Sequence, residues 1–322
     1  MLYNHEEGIT ELNRLGTGRI PFLFILSFDK KQIFISPLDE LDDDIFYKVD
    51  TIRNFDPEPL TKKYNFKTYP IPYLRYKKSF EAILEEIRSG NTYLLNLTFQ
   101  TPIETDLNLY EIFAGAKAKY KLYFKDQFIC YSPEKFIEIE DETISTYPMK
   151  GTINASLKDA QKKILEDKKE LAEHTMIVDL MRNDLGIIAN DIQVKRFRYI
   201  DTITAGEKKL LQVSSHIEGH LELDWQERIG EILDKLTPAG SISGTPKRST
   251  LGIIEKTEDY ERGFYTGVFG IFGGNSLHSG VMIRFVEKIG DTLTYKSGGG
   301  ITIDSDLKSE YEELNQKIYL PL

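Results

Sequence analysis

The chain has 322 residues, 40% of them hydrophobic and 29% charged, a balance that lets a soluble protein bury a core without disulfide or metal staples. Its formal net charge of −10 excludes a general nucleic-acid-binding surface. Its single cysteine, Cys130, excludes an internal disulfide and a cysteine-built zinc cage and fits a reducing compartment. No basic segment followed by an apolar one opens the sequence, and no apolar run reaches the ~18 residues of a membrane span, so a cytoplasmic location with no membrane association is expected.

In chain order, residues 1–72 read as a short strand-rich segment packed on a main unit over 73–322. PFLFILSF, DKK and QIFISPL form a hairpin pattern with its charges at the turn. The polar, proline-containing stretch 54–72 reads as a surface connector. Over 79–88, Phe80, Ile83, Leu84 and Ile87 recur with a helical period, and Gly90 follows as a stop. TYLLNLTFQTPI is rich in β-branched and aromatic residues and reads as a strand. YKLYF with FICYS, and KFIEIE with TISTYP, read as strand pairs.

One long helix is expected over 157–185, with Ile164, Leu171, Ile177, Val178 and Met181 on its apolar face and Gly186 closing it. Strands return over 193–200 and 209–223. Asp224 and Glu227 have capping-box spacing at the start of a helix carrying Trp225. Pro246 falls in the first turn of a further helix. Residues 263–285 read as a hairpin turning at Gly273-Gly274-Asn275. A strand, a glycine triplet and a helix over 306–319 end the chain. Strands outnumber helices and most are joined by hairpins, so the fold class is α+β with largely antiparallel sheets.

Several familiar motifs fail. Gly240 to Gly244 lacks the lysine of a phosphate-binding loop, and no dinucleotide fingerprint follows a strand. His216-Ile-Glu-Gly-His220 is not a zinc-protease pattern and reads as two ordinary strand histidines. Cys130 sits in an apolar strand and reads as a small core residue.

Two acidic pairs stand out. Glu170 and Glu173 share one helical face, as do Glu310, Glu313 and Lys317. Hard divalent cations such as Mg2+ take carboxylate ligands, but such pairs are also ordinary solvated surface. The glycines around Gly298 and the segment from Ser241 to Thr245 offer backbone N–H groups to an anion, and Arg284 adds a cation. A small polyanion held by these groups is one reading and solvated surface the other; the residue pattern leaves both open.

Seven segments in order resemble the chorismate-binding enzymes: SPEKF (132–136), TYPMKGT (146–152), LAEHTMIVDLMRNDLG (171–186), LTPAGSISGTPK (236–247), ERGFYTGVFG (261–270), MIRF (282–285) and SGGGITIDSDLKSEYEELNQK (297–317). The resemblance implies two large antiparallel β-sheets packed face to face, helices outside and a central cleft. It implies Glu173 and Glu313 as direct Mg2+ ligands, with Glu170 and Glu310 acting through water, and the ion holding the ring carboxylate of chorismate. Lys317 and the amides at Gly298 and Gly299 would assist there. Arg284 and Tyr265 would bind the enolpyruvyl carboxylate, and Ser243, Gly244 and Thr152 would line the pocket. Two carboxylates on one substrate each need fixed positive partners.

Within the family, branches that add water carry a lysine where this chain has Leu94, which cannot act as a base. Anthranilate synthases read P-I-A-G-T where this chain reads Pro148-Met149-Lys150-Gly151-Thr152. A lysine there resembles the aminodeoxychorismate synthases, which implies that Lys150 attacks C2 of chorismate while Glu134 protonates the departing C4 hydroxyl. Ammonia then adds at C4 and gives 4-amino-4-deoxychorismate, the precursor of para-aminobenzoate in folate synthesis. Lys150 is expected to have a lowered pKa and Glu134 a raised one.

With no glutaminase nucleophile in the chain, ammonia is expected from solution or from a separate glutamine amidotransferase subunit in a heterodimer. Gln212 stands where many relatives have His, so a titrating role is lost there, and His174 reads as orienting. The short N-terminal region implies no feedback by tryptophan. Anthranilate synthase component I is the alternative of the same class. A catalytically silent chorismate-binding subunit is the alternative of another class, against which Glu134, Lys150 and the four glutamates weigh.

Overall fold

The computed structural model describes residues 1–56, 60, 62–205 and 208–322, without the side chains of 169, 203–205 and 208. β1 (Leu2–Tyr3) leads into α1 (His5–Thr17), capped by Asn4, whose side chain accepts from the Glu7 N–H. The first expected hairpin forms: β2 (Phe22–Leu26) pairs antiparallel with β3 (Ile33–Pro37). β4 (Ile45–Val49), β5 (Ile52–Arg53) and β6 (Phe66–Thr68) follow. β6 lies within the stretch expected to be only a connector, of which 57–59 and 61 fall outside the described residues. α2 runs Tyr73–Arg88 and so begins at Tyr73 rather than Ser79, directly after Pro72. β7 (Leu94–Thr105) precedes α3 (Leu109–Gly115), which a reciprocal Asn108–Glu111 capping box opens. β8 (Tyr120–Phe124), β9 (Phe128–Ser132), β10 (Lys135–Glu140), β11 (Thr143–Thr146) and β12 (Met149–Asn154) come next.

The single helix expected over 157–185 is two, α4 (Ala160–Glu166) and α5 (Lys168–Leu185). They break at Asp167, whose backbone is extended and whose carboxylate accepts from the Glu170 N–H. A short acidic side chain competes with the helix it would have continued and caps the next one instead. β13 (Asn190–Ala205) and β14 (Lys208–His220) make a longer hairpin than the apolar pattern marks. The Asp224 capping box does not form: Asp224 makes no side-chain cap bond, Trp225–Arg228 is a 3-10 turn, and α6 (Ile229–Leu236) starts after it. α7 (Gly240–Ser243), β15 (Gly244–Thr245) and α8 (Lys247–Thr257) follow, with Pro246 standing before the first turn of α8 rather than in it. β16 (Val268–Phe272) and β17 (Ser276–Val281) form the expected hairpin, but the chain then changes sheet and Phe285 opens β18 (Phe285–Ile289). The glycine triplet lies inside β19 (Thr292–Ile301), and α9 (Leu307–Gln316) ends the chain's regular structure.

Among the described residues the strands form two sheets with antiparallel neighbours throughout, in the orders β1-β3-β2-β16-β17-β10-β11-β14-β12 with β13 also on β14, and β15-β7-β19-β18-β9-β8-β4-β5 with β6 also on β7. Residues 1–72 therefore supply strands to both. The sheets pack face to face on Leu23, Ile25, Phe269 and Ile271 from the first and Tyr47, Tyr120, Leu122 and Phe285 from the second, all buried. Helices cover the outer faces: Leu12, Leu15, Ile229 and Leu233 from α1 and α6 join Phe22 and Phe24 in one core, and Ile112 and Phe113 of α3 join Ile129 and Tyr131 in another. Cys130 is a buried core residue, as expected. No described helix is long and apolar enough to cross a membrane.

Candidate active site

β12 carries Lys150 and owes its shape to Gly151. The pairing with β14 slips there, with Lys150 opposite Val213 and Thr152 opposite Gln212, and Gly151 has φ +75°. Glycine takes that left-handed φ without strain, and a Cβ at Gly151 would force the Glu170 carboxylate, 2.5 Å away at Oε2, to shift. Val213 and Gln212 are successive residues of β14 and face opposite sides. The Thr152 side chain is therefore exposed on the other face from Lys150, away from the cluster described below. Lys150 Nζ pairs with Glu173 Oε2 at 3.0 Å. It also stands 3.8 Å from where a Cβ on Gly300 would be, beside Leu94, whose Cδ1 is 3.1 Å from the same point.

α9 and β19 form the opposite wall. Lys317 Nζ donates to Gly298 O at 2.9 Å and pairs with Glu313 Oε1 at 2.7 Å. Glu310 Oε1 accepts from Ser305 Oγ at 2.8 Å, and its Oε2 lies 3.5 Å from a Cβ position on Gly299. β18 stops pairing with β19 at Lys296, and among the described residues no strand lies beside that edge of 297–301. Because the Gly298 carbonyl faces Lys317, its N–H faces that same open edge. The Gly299 amide alternates back toward Leu97 on β7. The glycines thus lie on an open strand edge, where Gly298 rather than Gly299 turns its amide outward.

Glu134 sits where the chain crosses from β9 to β10. Its N–H donates to Ser132 Oγ at 3.1 Å, its carbonyl accepts from the Val281 N–H at 3.1 Å, and its Oε1 accepts from Ser241 Oγ at 2.5 Å. Burial pushes its carboxyl pKa up, against the Ser241 bond and the charges of Arg284, Lys150 and Lys317, and burial wins. The expected rise at Glu134 is present. The expected fall at Lys150 is not: burial lowers it, but Glu173, then Glu170 and Glu313, outweigh burial and hold the ammonium above its ordinary value. Lys317 is lowered, chiefly by burial and further by Arg284 and Lys150.

Arg284 stands at the crossing from β17 to β18 with φ +53°, its guanidinium over the Tyr319 ring at 5.7 Å and its buried Nε without a hydrogen-bond partner among the described residues. Tyr265 is buried, its ring 5.8 Å from that of Phe285. Ser243 turns its hydroxyl into its own turn, donating to Ala239 O at 2.9 Å. Gly244, at φ +133°, lies so close to β7 that a Cβ would stand 2.0 Å from Leu94 O. These two residues shape the backbone, while Ser241, noticed in the sequence only as part of an anion-site segment, is the hydroxyl of that segment that reaches an acid.

His174 is buried, shares a 2.7 Å hydrogen bond with Ser215 Oγ, and is lowered by burial to about 4. Its place between α5 and β14 suits an orienting group. His216 and His220 lie in β14, as expected of strand histidines, and His216 shares a 3.2 Å bond with Ser145. Sequence reading missed two groupings that only the tertiary fold brings together. Asp184 Oδ2 pairs with Lys247 Nζ at 3.1 Å and ties α5 to α8. Glu138, Glu140 and His278 bring their ligand atoms within 4.8 Å of one another on β10 and β17.

The donor set of α5 and α9 fits a hard divalent cation. Glu170, Glu173 and Glu313 all act on the Lys150 ammonium, and Glu310 lies at the same strand edge as Lys317. Carboxylate oxygen donors converging from two helices are what such an ion takes.

Comparison with known proteins gives the family. The family model for the chorismate binding enzyme matches residues 27–322. A Haemophilus influenzae protein named as an uncharacterized PabA-like protein is 48% identical over 315 residues, 98% of this chain and 96% of that protein. Aminodeoxychorismate synthase component 1 of Bacillus subtilis is 30% identical over 76% of this chain and 54% of its own length. Anthranilate synthase component 1 of Spirochaeta aurantia is 32% identical over 82% of this chain and 55% of its own length. The menaquinone-specific isochorismate synthase of Escherichia coli shares the fold with TM-score 0.73 at 16% identity, over 98% of this chain and 82% of that one. Two antiparallel sheets, a site walled by α5, β12, β19 and α9, and a match across nearly the whole length lead to one conclusion: the chain belongs to the chorismate-binding enzyme family, whose members are chorismate-converting enzymes.

Proposed function

We propose that this chain is the chorismate-converting component of an aminodeoxychorismate synthase, which turns chorismate and ammonia into 4-amino-4-deoxychorismate. The observation that carries the reading is the position of Lys150, a primary amine recessed beside Glu173 and near Glu134 rather than on the outer surface. In the anthranilate synthase pattern an alanine stands there.

The steps follow from the side chains. Glu134, whose carboxyl pKa burial raises, donates its proton to the C4 hydroxyl as the C4–O bond breaks and water leaves. The neutral Lys150 Nζ forms a bond to C2 as both double bonds of the ring diene shift toward C4, where the hydroxyl departs. Ammonia bonds to C4, both double bonds return, the Lys150 C–N bond breaks to release the free amine, and the proton shed by the new C4 ammonium restores Glu134. Arg284 and Tyr265 hold the enolpyruvyl carboxylate. Lys317 and the Gly298 amide face the ring carboxylate. Glu173 and Glu313, with Glu170 and Glu310 behind them, would hold Mg2+, whose charge when bound neutralises that carboxylate. With a cation on those carboxylates, the charges that oppose burial at Lys150 would weaken and its neutral, nucleophilic amine would be favoured. Ammonia is delivered by a separate glutamine amidotransferase subunit or taken from solution.

The test is a mass-spectrometric product assay of the full chain with chorismate, Mg2+ and ammonium. Aminodeoxychorismate without pyruvate is expected. Lys150→Ala should fall by about 100-fold or more, a covalent adduct should build up on Lys150 when ammonia is withheld, and chelator should abolish turnover. The likeness to anthranilate synthase component 1 favours a second reading, in which the product is fluorescent anthranilate with release of pyruvate. Tight chorismate binding without turnover would instead make the chain a silent binding subunit.

A further inference from the structure

We propose that Ser241 is a positioning residue for Glu134: its hydroxyl fixes the carboxyl group so that Oε1 accepts and Oε2 is the oxygen that carries the proton. The inference rests on the reading that Glu134 is the acid of the amination.

Ser241 Oγ donates to Glu134 Oε1 at 2.5 Å, and among the described residues no other side chain hydrogen-bonds the Glu134 carboxyl. A neutral carboxyl can carry its proton on either oxygen. A hydroxyl that spends its one hydrogen on Oε1 removes that choice, and the acid proton goes to Oε2. Without the hydroxyl the proton is divided between an oxygen aimed at the reacting bond and one that is not.

The surroundings of Ser241 are built to hold that hydroxyl still. The Ile242 carbonyl accepts from Asn96 Nδ2 at 3.1 Å and from Arg262 Nη1 at 3.0 Å. Ser243 Oγ ties the end of α7 back to Ala239 O. Gly240 packs against α5 so closely that a Cβ would stand 2.9 Å from Leu180 Cδ2 and 3.0 Å from Asp184 Oδ2, and Asp184 is itself held by Lys247. The residues flanking Ser241 are each fixed from elsewhere, while its own hydroxyl is committed to Glu134. Locking a functional group through neighbours that are already rigid is how a site keeps its geometry.

The charged groups that act on Glu134 are Arg284 from the β17–β18 crossing, Lys150 from β12 and Lys317 after α9. All three favour its carboxylate, as the Ser241 bond does, and burial opposes them. Removing the hydroxyl leaves the three cations in place and shifts the balance toward the acid. This signature separates a bond to the carboxyl from mere packing.

The experiment compares wild type, Ser241→Ala, Ser241→Thr and Glu134→Gln in the amination assay with ammonium. Ser241→Ala is expected to lower kcat by about 10- to 100-fold, with KM for chorismate within about twofold, because the bond acts on proton delivery rather than on binding. Its loss of activity on the alkaline side should move to higher pH. Ser241→Thr keeps a hydroxyl and should stay within about threefold of wild type with an unmoved pH profile. Wild-type kcat in Ser241→Ala, or equal damage in both variants with no shift of profile, overturns the proposal. Independently of turnover, the Glu134 carboxyl is titrated by carbon-13 NMR in labelled wild type and Ser241→Ala, with Glu134→Gln assigning the signal. An upward shift in the alanine variant is expected, and an unmoved titration overturns the assignment. Full activity of Glu134→Gln, or no aminated product from wild type, marks failure of the amination reading itself, which the NMR arm does not depend on.

Discussion

At Lys150 two effects oppose each other: burial favours the neutral amine, and the carboxylates of Glu173, Glu170 and Glu313 favour the ammonium and prevail. At Glu134 the same contest ends the other way, because three cations and one hydroxyl do not overcome burial. His278 shows the contest in a place without an assigned role. Its Nδ1 lies 3.3 Å from Glu138 and its Nε2 3.0 Å from Glu140. The bond to Glu138 holds the imidazolium above its usual pKa, and Glu138, bonded also by Lys135 and Tyr147, is pulled down to about 2. The carboxylate's share of stability is present above the ordinary carboxylate range and lost as pH falls toward about 2. The imidazolium's share is present below its ordinary pKa of 6.5 and lost as pH rises through the raised value. Both operate together near pH 5 to 6. His278→Gln is therefore expected to be destabilised by about 1–2 kcal/mol near pH 5.5, with little difference from wild type near pH 9. Thermal unfolding at the two pH values checks this, and a pH-independent difference would contradict it.

At the scale of elements, the bulge in β12 sets how α5 meets the first sheet. Gly151→Ala must accommodate both a left-handed φ and a Cβ 2.5 Å from Glu170 Oε2. We expect a loss of about 1–3 kcal/mol of stability together with loss of chorismate turnover, read by denaturant unfolding and by the product assay. A variant with wild-type stability and turnover would show that the bulge is dispensable. The same segment shows what the sequence made legible. Alternation and period located the hairpins at 22–37 and 268–281 and the helices around α2 and α9, since one-sided burial writes its period into the residues. The break at Asp167 was hidden, because Asp suits both the end of one helix and the cap of the next. β6 was hidden because three residues pairing with β7 carry no period of their own. The motifs gathered Lys150, the glutamates and Lys317, but the slip at Gly151 that turns Thr152 away depends on pairing with β14. The hydroxyl at Ser241 depends on where the β9–β10 crossing lands. Neither is written in local spacing.

At the scale of the molecule, a buried charge pair joins the pieces around the site. The Glu258 and Arg262 side chains are each 2% exposed and bonded at 2.6 Å. Glu258 also accepts from Thr98, and Arg262 donates to the carbonyls of Asn96 and Ile242, so α8, β7 and α7 share one knot. Glu258→Gln leaves the guanidinium without its counter-charge and should cost about 3–5 kcal/mol. The exposed Arg75–Asp259 pair nearby should cost less than about 1 kcal/mol when Asp259 is replaced by Asn. Equal losses in chemical denaturation would show that burial does not set the difference.

The weave of the N-terminal strands governs how the polypeptide reaches this form. β2 lies between β3 and β16, where Phe22 meets Phe272 and Leu26 meets Val268. β7 waits in the same way for β19. Pairings this remote in sequence make closure of both sheets slow relative to local structure. During synthesis β3 can pair one edge of Phe22–Leu26 early, but the other edge of this wholly apolar, later fully enclosed strand stays unsatisfied until β16 has left the ribosome. Such an interval, with a sticky edge on display, is when nascent chains recruit holding chaperones.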